Sequence, residues 1–134
     1  PEETKKLLQI TEECMYLGIE QMVPGNHLSD LSRAIQTHAE GNSFSLVNEF
    51  GGHGIGKNLH EDPMVLNYVV NGRGITLREG LVLAIEPMVN MGTDKVQVLS
   101  DGWTVVTVDG KPSAHFEHTV AITGNGPEIL TRPT

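Results

Sequence analysis

The sequence predicts an α+β domain in which two helices pack on an antiparallel sheet. Two observations carry that reading. Apolar residues recur at three- and four-residue spacing up to Gly41, the mark of amphipathic helices. Beyond Gly41 the period falls to two, in short runs separated by glycine, proline and aspartate, the mark of strands. Helices first and strands after them place the helices together over one sheet face.

The first helix is expected over residues 2–23, where Leu7, Ile10, Cys14 and Leu17 form one stripe and Leu8, Met15, Ile19 and Met22 a looser one. Thr4 is its candidate N-cap, and Pro24-Gly25 stops it. A second helix starts with Ser29 as N-cap. Leu31, Ala34, Ile35 and His38 share a face, and Gly41-Asn42 closes it with residues that accept left-handed backbone. Phe44, Leu46, Asn48 and Phe50 then alternate with Ser45, Val47 and Glu49 as a strand. Residues 81–89 form a strong strand broken by Pro87. Residues 95–99 and 103–108 form a hairpin around Asp101-Gly102, a pair suited to positive φ. Residues 114–123 are the last long strand, and residues 129–131 add a short one. No repeat, low-complexity tract or interdomain linker interrupts the 134 residues.

Composition narrows the function classes. A chain of 134 residues supports one domain with one modest core. No apolar run approaches the roughly 20 residues that cross a bilayer, and the opening PEETKK is unlike a signal peptide. The single cysteine excludes an internal disulfide, so a reducing compartment fits and the cytoplasm is the expected location. A net charge of −8 argues against nucleic acid and against anionic membranes as partners. The first residue is Pro1 rather than Met, which raises the question of what precedes it.

Three segments carry side chains capable of chemistry. Gly51-Gly52-His53-Gly54-Ile55-Gly56 runs into Leu59-His60-Glu61-Asp62-Pro63. Its glycines leave the His53 ring approachable and let the backbone bend sharply. A dinucleotide-binding loop would need a helix directly after it, and Pro63 with no helical period rejects that reading. The plain alternative is a glycine-rich turn around a structural histidine. In Ala84-Ile85-Glu86-Pro87 a carboxylate ends a strand whose neighbours read as buried. Glu86 is there protonated, paired or metal-bound, unless it turns to solvent. In His115-Phe116-Glu117-His118-Thr119, alternation puts Glu117 on a face with His115, Thr119 and Ala121. That leaves room for an ion, or makes Glu117 an ordinary edge-strand acid. Two carboxylates and an imidazole suit Mn, Fe, Co or Zn, whereas the lone helical Cys14 excludes a thiolate zinc site. Spacing alone leaves open whether these side chains meet.

The strings GGHGIG-x-x-LHEDP, LAIEPMV, DGWTV and FEHTVAIT, in this order, resemble the type I methionine aminopeptidases, and the resemblance covers essentially the whole chain. It implies a pita-bread fold, two similar α+β halves around a two-metal centre, with residues 1–134 as the C-terminal half. By motif, His53 and Glu86 are ligands of one metal, Glu117 bridges both, and Glu86 is also the general base. His60 resembles the histidine that hydrogen-bonds substrate beside the scissile bond. Leu59 and Trp103 resemble residues of the methionine side-chain pocket, although many relatives carry an aromatic at the Leu59 position. The implied activity is metal-dependent removal of N-terminal methionine from proteins and peptides with a small second residue. Related prolidase-like and aminopeptidase-P-like enzymes usually carry a longer interval between the two histidines.

The sequence departs from the family in one respect. Two further ligands, both aspartates, and an upstream catalytic histidine have no match here. Asp30, Asp62, Asp94, Asp101 and Asp109 sit at a cap, before proline or at turns. The intact family enzyme holds two divalent ions (Co, Mn, Fe or Zn). This chain is expected to hold at most one, weakly, and to have little or no activity alone. Its expected partners are peptides with N-terminal Met and either the missing N-terminal half or a second copy. The rival readings are a non-catalytic pita-bread binding module or inert fragment, and another dipeptidase of the same fold.

Overall fold

The computed structural model describes residues 2–46, 52–54, 61–65, 72–92, 96–98, 100, 105–107 and 109–131; for residues 52–53, 61–64, 96–98 and 105–107 it describes the backbone alone. Two helices come first, α1 (Glu2–Glu20) and α2 (Leu28–Gly41). Among the described residues ten short strands follow: β1 (Ser45–Leu46), β2 (Gly52–Gly54), β3 (Glu61–Val65), β4 (Val82–Ile85), β5 (Met88–Asn90), β6 (Val96–Val98), β7 (Val105–Thr107), β8 (Ser113–His115), β9 (His118–Thr123) and β10 (Gly126–Ile129). All described pairings are antiparallel. They form a five-stranded sheet in the order β10-β9-β4-β2-β3, a three-stranded sheet β1-β5-β8 and the hairpin β6-β7. The expected α+β class is therefore the observed one.

The start of α1 and the close of α2 at Gly41-Asn42 are as expected, while the N-caps and the end of α1 differ, for local reasons. α1 begins at Glu2, so Thr4 lies inside it and caps nothing. Two acids, Glu2 and Glu3, occupy its first turn, where the helix dipole favours negative charge. It ends at Glu20, before Pro24, in a tightened turn where Gln21 and Met22 donate to the carbonyls of Gly18 and Ile19. The N-cap of α2 is His27, not Ser29. The carboxylate of Asp30 accepts the His27 N–H at 2.8 Å, and Ser29 donates its own N–H to the Arg73 carbonyl. At the other end Gly41 stays helical and Asn42 has φ −103°, while Ser43 takes the left-handed turn at φ 66°. The Asn42 side chain instead donates to the His38 carbonyl at 2.8 Å.

The helices lie on one face. Leu7, Ile10, Cys14, Met15 and Ile19 of α1 join Leu31, Ile35 and Ala39 of α2 and Leu83, Ile85, Val89, Val120 and Ile122 of the sheets in a single buried cluster. Each large side chain so buried contributes about 1.5–3 kcal/mol relative to exposure. Close approach of the helices depends on Gly18, where a Cβ would stand 3.0 Å from Ile35.

The long strands are interrupted. The run expected over residues 81–89 is β4 and β5, parted by Glu86-Pro87; the run expected over 114–123 is β8 and β9, parted by Phe116-Glu117. The final strand is β10 and begins at Gly126, ahead of the expected residues 129–131. The hairpin expected around Asp101-Gly102 has both strands, β6 and β7, while its turn lies outside the described residues. So do residues 47–50 of the first expected strand, which is described only at Ser45–Leu46. Strands β2 and β3 were not expected: the glycines of residues 51–56 read as a turn, and residues 59–63 were assigned no element. Among the described residues β3 is an edge strand, a sheet position that tolerates proline.

Candidate metal centre

Residue alternation and register bring the two candidate carboxylates together. Ile85 pairs with His118, and Met88 pairs with His115. Two residues lie between the two pairs on each side, so the β4-β9 and β5-β8 ladders share one register across the break. Within the break Glu86 therefore faces Glu117, and Pro87 faces Phe116, whose N–H donates to the Pro87 carbonyl at 3.3 Å. The pleat gives these positions opposite fates. Leu83, Ile85, Val89, Ala114, Val120 and Ile122 point into the core under the helices. The alternate positions, including Glu86, His115, Glu117 and Thr119, belong to the other face.

The Glu86 side chain keeps 17% of its surface exposed, and Glu117 is exposed. His115, diagonal to Glu86 on the same face, places Nε2 3.7 Å from Glu86 Oε1. That is ion-pair range and too long for a hydrogen bond. Its imidazole is held above the ordinary histidine range, first by the interaction with Glu86 and against partial burial, with Glu117 adding to the effect. The sequence grouped His115 with Glu117 by alternation but gave it no role. The signal available was that residues diagonal across an antiparallel pair reach one another when their side chains are long.

His53 reaches this region through the backbone. In β2 it pairs with Ala84 of β4, two residues before Glu86, and the ladder with β3 shifts register between His53 and Gly54. Such bulges bend a strand and re-aim its side chains, and they concentrate beside active sites. The His53 side chain, Leu59, His60 and Trp103 lie outside the described residues. Among the described residues no three His, Cys, Asp or Glu side chains converge to hold a metal ion. The donor chemistry nonetheless fits a hard divalent cation. Like charges at facing strand positions are unfavourable, and a cation between them reverses the sign of that interaction.

The described clefts lie elsewhere. One, of about 510 Å³, is lined by α1 and α2 residues including Leu17, Arg33 and His38; the other, of about 570 Å³, lies between α1 and β10. At the first, His38 Nε2 meets Glu13 Oε1 at 2.7 Å, and Glu13 is held below the usual carboxylate range by hydrogen bonds from Gln9 and His38. Neither cleft contains a candidate ligand. Among the described residues no helix is long and apolar enough to cross a membrane.

Comparison with known proteins fits this arrangement. The chain is 59% identical over 130 residues to a methionine aminopeptidase of Clostridium perfringens, covering 97% of this chain and 52% of that protein. It is 55% identical over 131 residues to methionine aminopeptidase 1 of Bacillus subtilis, covering 98% and 53%. It superposes on the crystal structure of methionine aminopeptidase from Thermotoga maritima with a TM-score of 0.96 and 48% identity, over 99% of this chain and 53% of that one. The chain thus spans about half the length of the relatives it matches, within the pita-bread architecture. Residues 1–124 match the family model of metallopeptidase family M24, and with helices, sheet and facing acids arranged as described, the chain belongs to that family.

Proposed function

We propose that this chain is the C-terminal half of a methionine aminopeptidase, supplying His53, Glu86 and Glu117 to a divalent-metal centre that removes N-terminal methionine ahead of a small second residue. The observation that carries the proposal is the facing of Glu86 and Glu117 across the break in two ladders of common register. The bulge at His53 beside Ala84, and the activity named for relatives at 55–59% identity, support it.

In this reading a divalent pair, when bound, supplies a water acidic enough to act as a nucleophile near neutral pH. Glu86 takes the proton from the attacking water and passes it to the departing amine. His60 donates a hydrogen bond where charge develops on the scissile carbonyl. Leu59 and Trp103 line the methionine pocket. The other ligands come from the N-terminal half, so this chain alone holds at most one Co, Mn, Fe or Zn ion, weakly, and works in the cytoplasm only with that half beside it.

The test restores the upstream half and compares hydrolysis of a Met-Ala-Ser peptide with that of an Xaa-Pro dipeptide. The proposal expects the first to be cleaved and the second not. Cleavage of the dipeptide alone would identify a different peptidase of the same fold, and cleavage of neither a binding module.

A further inference from the structure

We propose that His115 is a positioning residue that holds the Glu86 carboxylate in the orientation a divalent cation requires; this rests on the metal-centre reading above. Four observations place it there. His115 is paired with Met88, so the pleat puts it on the same face as Glu86, one diagonal step away. Its Nε2 lies 3.7 Å from Glu86 Oε1, within one small side-chain rotation of a hydrogen bond. Its own side chain is 42% exposed against 17% for Glu86, so the imidazole is the more solvent-accessible partner of a mostly buried carboxylate. It also stands two residues from Glu117 on the same strand connection, so one ring braces the acid that faces Glu117.

The role needs only an N–H at Nε2, which the imidazolium has and one neutral tautomer also has. Engaging Oε1 removes rotamers that would point the carboxylate away from a cation. Outer partners of this kind orient metal ligands, and their loss typically weakens metal affinity by about 10- to 100-fold. His115 touches no reacting atom in this account; it acts through Glu86.

The experiment is Mn(II) titration of the chain, read by loss of the free-ion electron paramagnetic resonance signal, for the native protein, Glu86→Gln, His115→Ala, His115→Leu and His115→Gln. Circular dichroism of each variant confirms folding. The proposal expects His115→Ala and His115→Leu to weaken Mn(II) binding about tenfold. His115→Gln, which keeps an N–H donor, stays within about twofold of native. Native affinity in His115→Ala, or His115→Gln as weak as His115→Ala, would overturn the positioning role while leaving the metal centre standing. Binding that Glu86→Gln leaves unchanged, or no binding by the native chain even with the upstream half restored, would overturn both.

Discussion

Register sets Glu86 opposite Glu117 across the break, and the proposed occupant between them is a divalent ion. Glu86 carries the greater load, as ligand and as base. Glu86→Gln in the reassembled enzyme is expected to lower kcat by at least about 100-fold with the fold intact, read by peptide hydrolysis and by circular dichroism. Undiminished turnover would remove Glu86 from the chemistry. Cys14 provides a separate test of burial. Its thiol is fully enclosed between the helices, its Sγ 3.5 Å from the Ile35 carbonyl. Burial, reinforced by Glu13, pushes its pKa up to about 12. Because the folded value is raised, the unfolded chain holds fewer protons above the ordinary thiol range. Stability is therefore full below about pH 9 and falls as the pH climbs toward 12, with a slope from this group of at most about 1.4 kcal/mol per pH unit. Denaturant midpoints measured from pH 8 to 11 should show that decline, and Cys14→Ser should flatten it.

Among the elements, the α1-α2 contact is the most sharply conditioned. Alanine in place of Gly18 improves helix propensity by about 1 kcal/mol. Its Cβ would nevertheless stand 3.0 Å from both Cγ1 and Cδ1 of Ile35, which must shift. The two effects are of similar size, so Gly18→Ala is expected to be close to neutral. Gly18→Leu adds bulk that the contact does not admit and should destabilise by about 1–3 kcal/mol in urea unfolding. Both helices were legible in the sequence because amphipathic spacing persists through most of each; the N-cap of α2 was not, because a backbone cap at His27 leaves little trace in composition. The strands after Gly41 were legible by alternation. Their division at Glu86-Pro87 and Phe116-Glu117 was hinted at only by Pro87, since Phe116-Glu117 contains no breaker. Strands β2 and β3 were hidden by glycines and Pro63, residues that usually mark turns and here sit at a bulge and a sheet edge. The facing of Glu86 and Glu117 is a consequence of register, which no local pattern reveals.

At the scale of the whole molecule, the helices cover one sheet face, and the candidate acids occupy the other. A chain that spans about half of its relatives and carries its candidate acids on the sheet face opposite the helices is expected to bind a companion there. Sedimentation velocity should therefore show self-association of the chain, shifting to a one-to-one complex when the upstream half is added; a monodisperse monomer indifferent to that half would count against the account. The most direct measurement is anomalous diffraction from crystals of the chain grown in excess Mn(II). The account predicts a manganese peak about 2.0–2.3 Å from carboxylate oxygens of both Glu86 and Glu117, with the His53 imidazole completing the contact. Full manganese density at another place, with the two carboxylates turned away from each other, would contradict it.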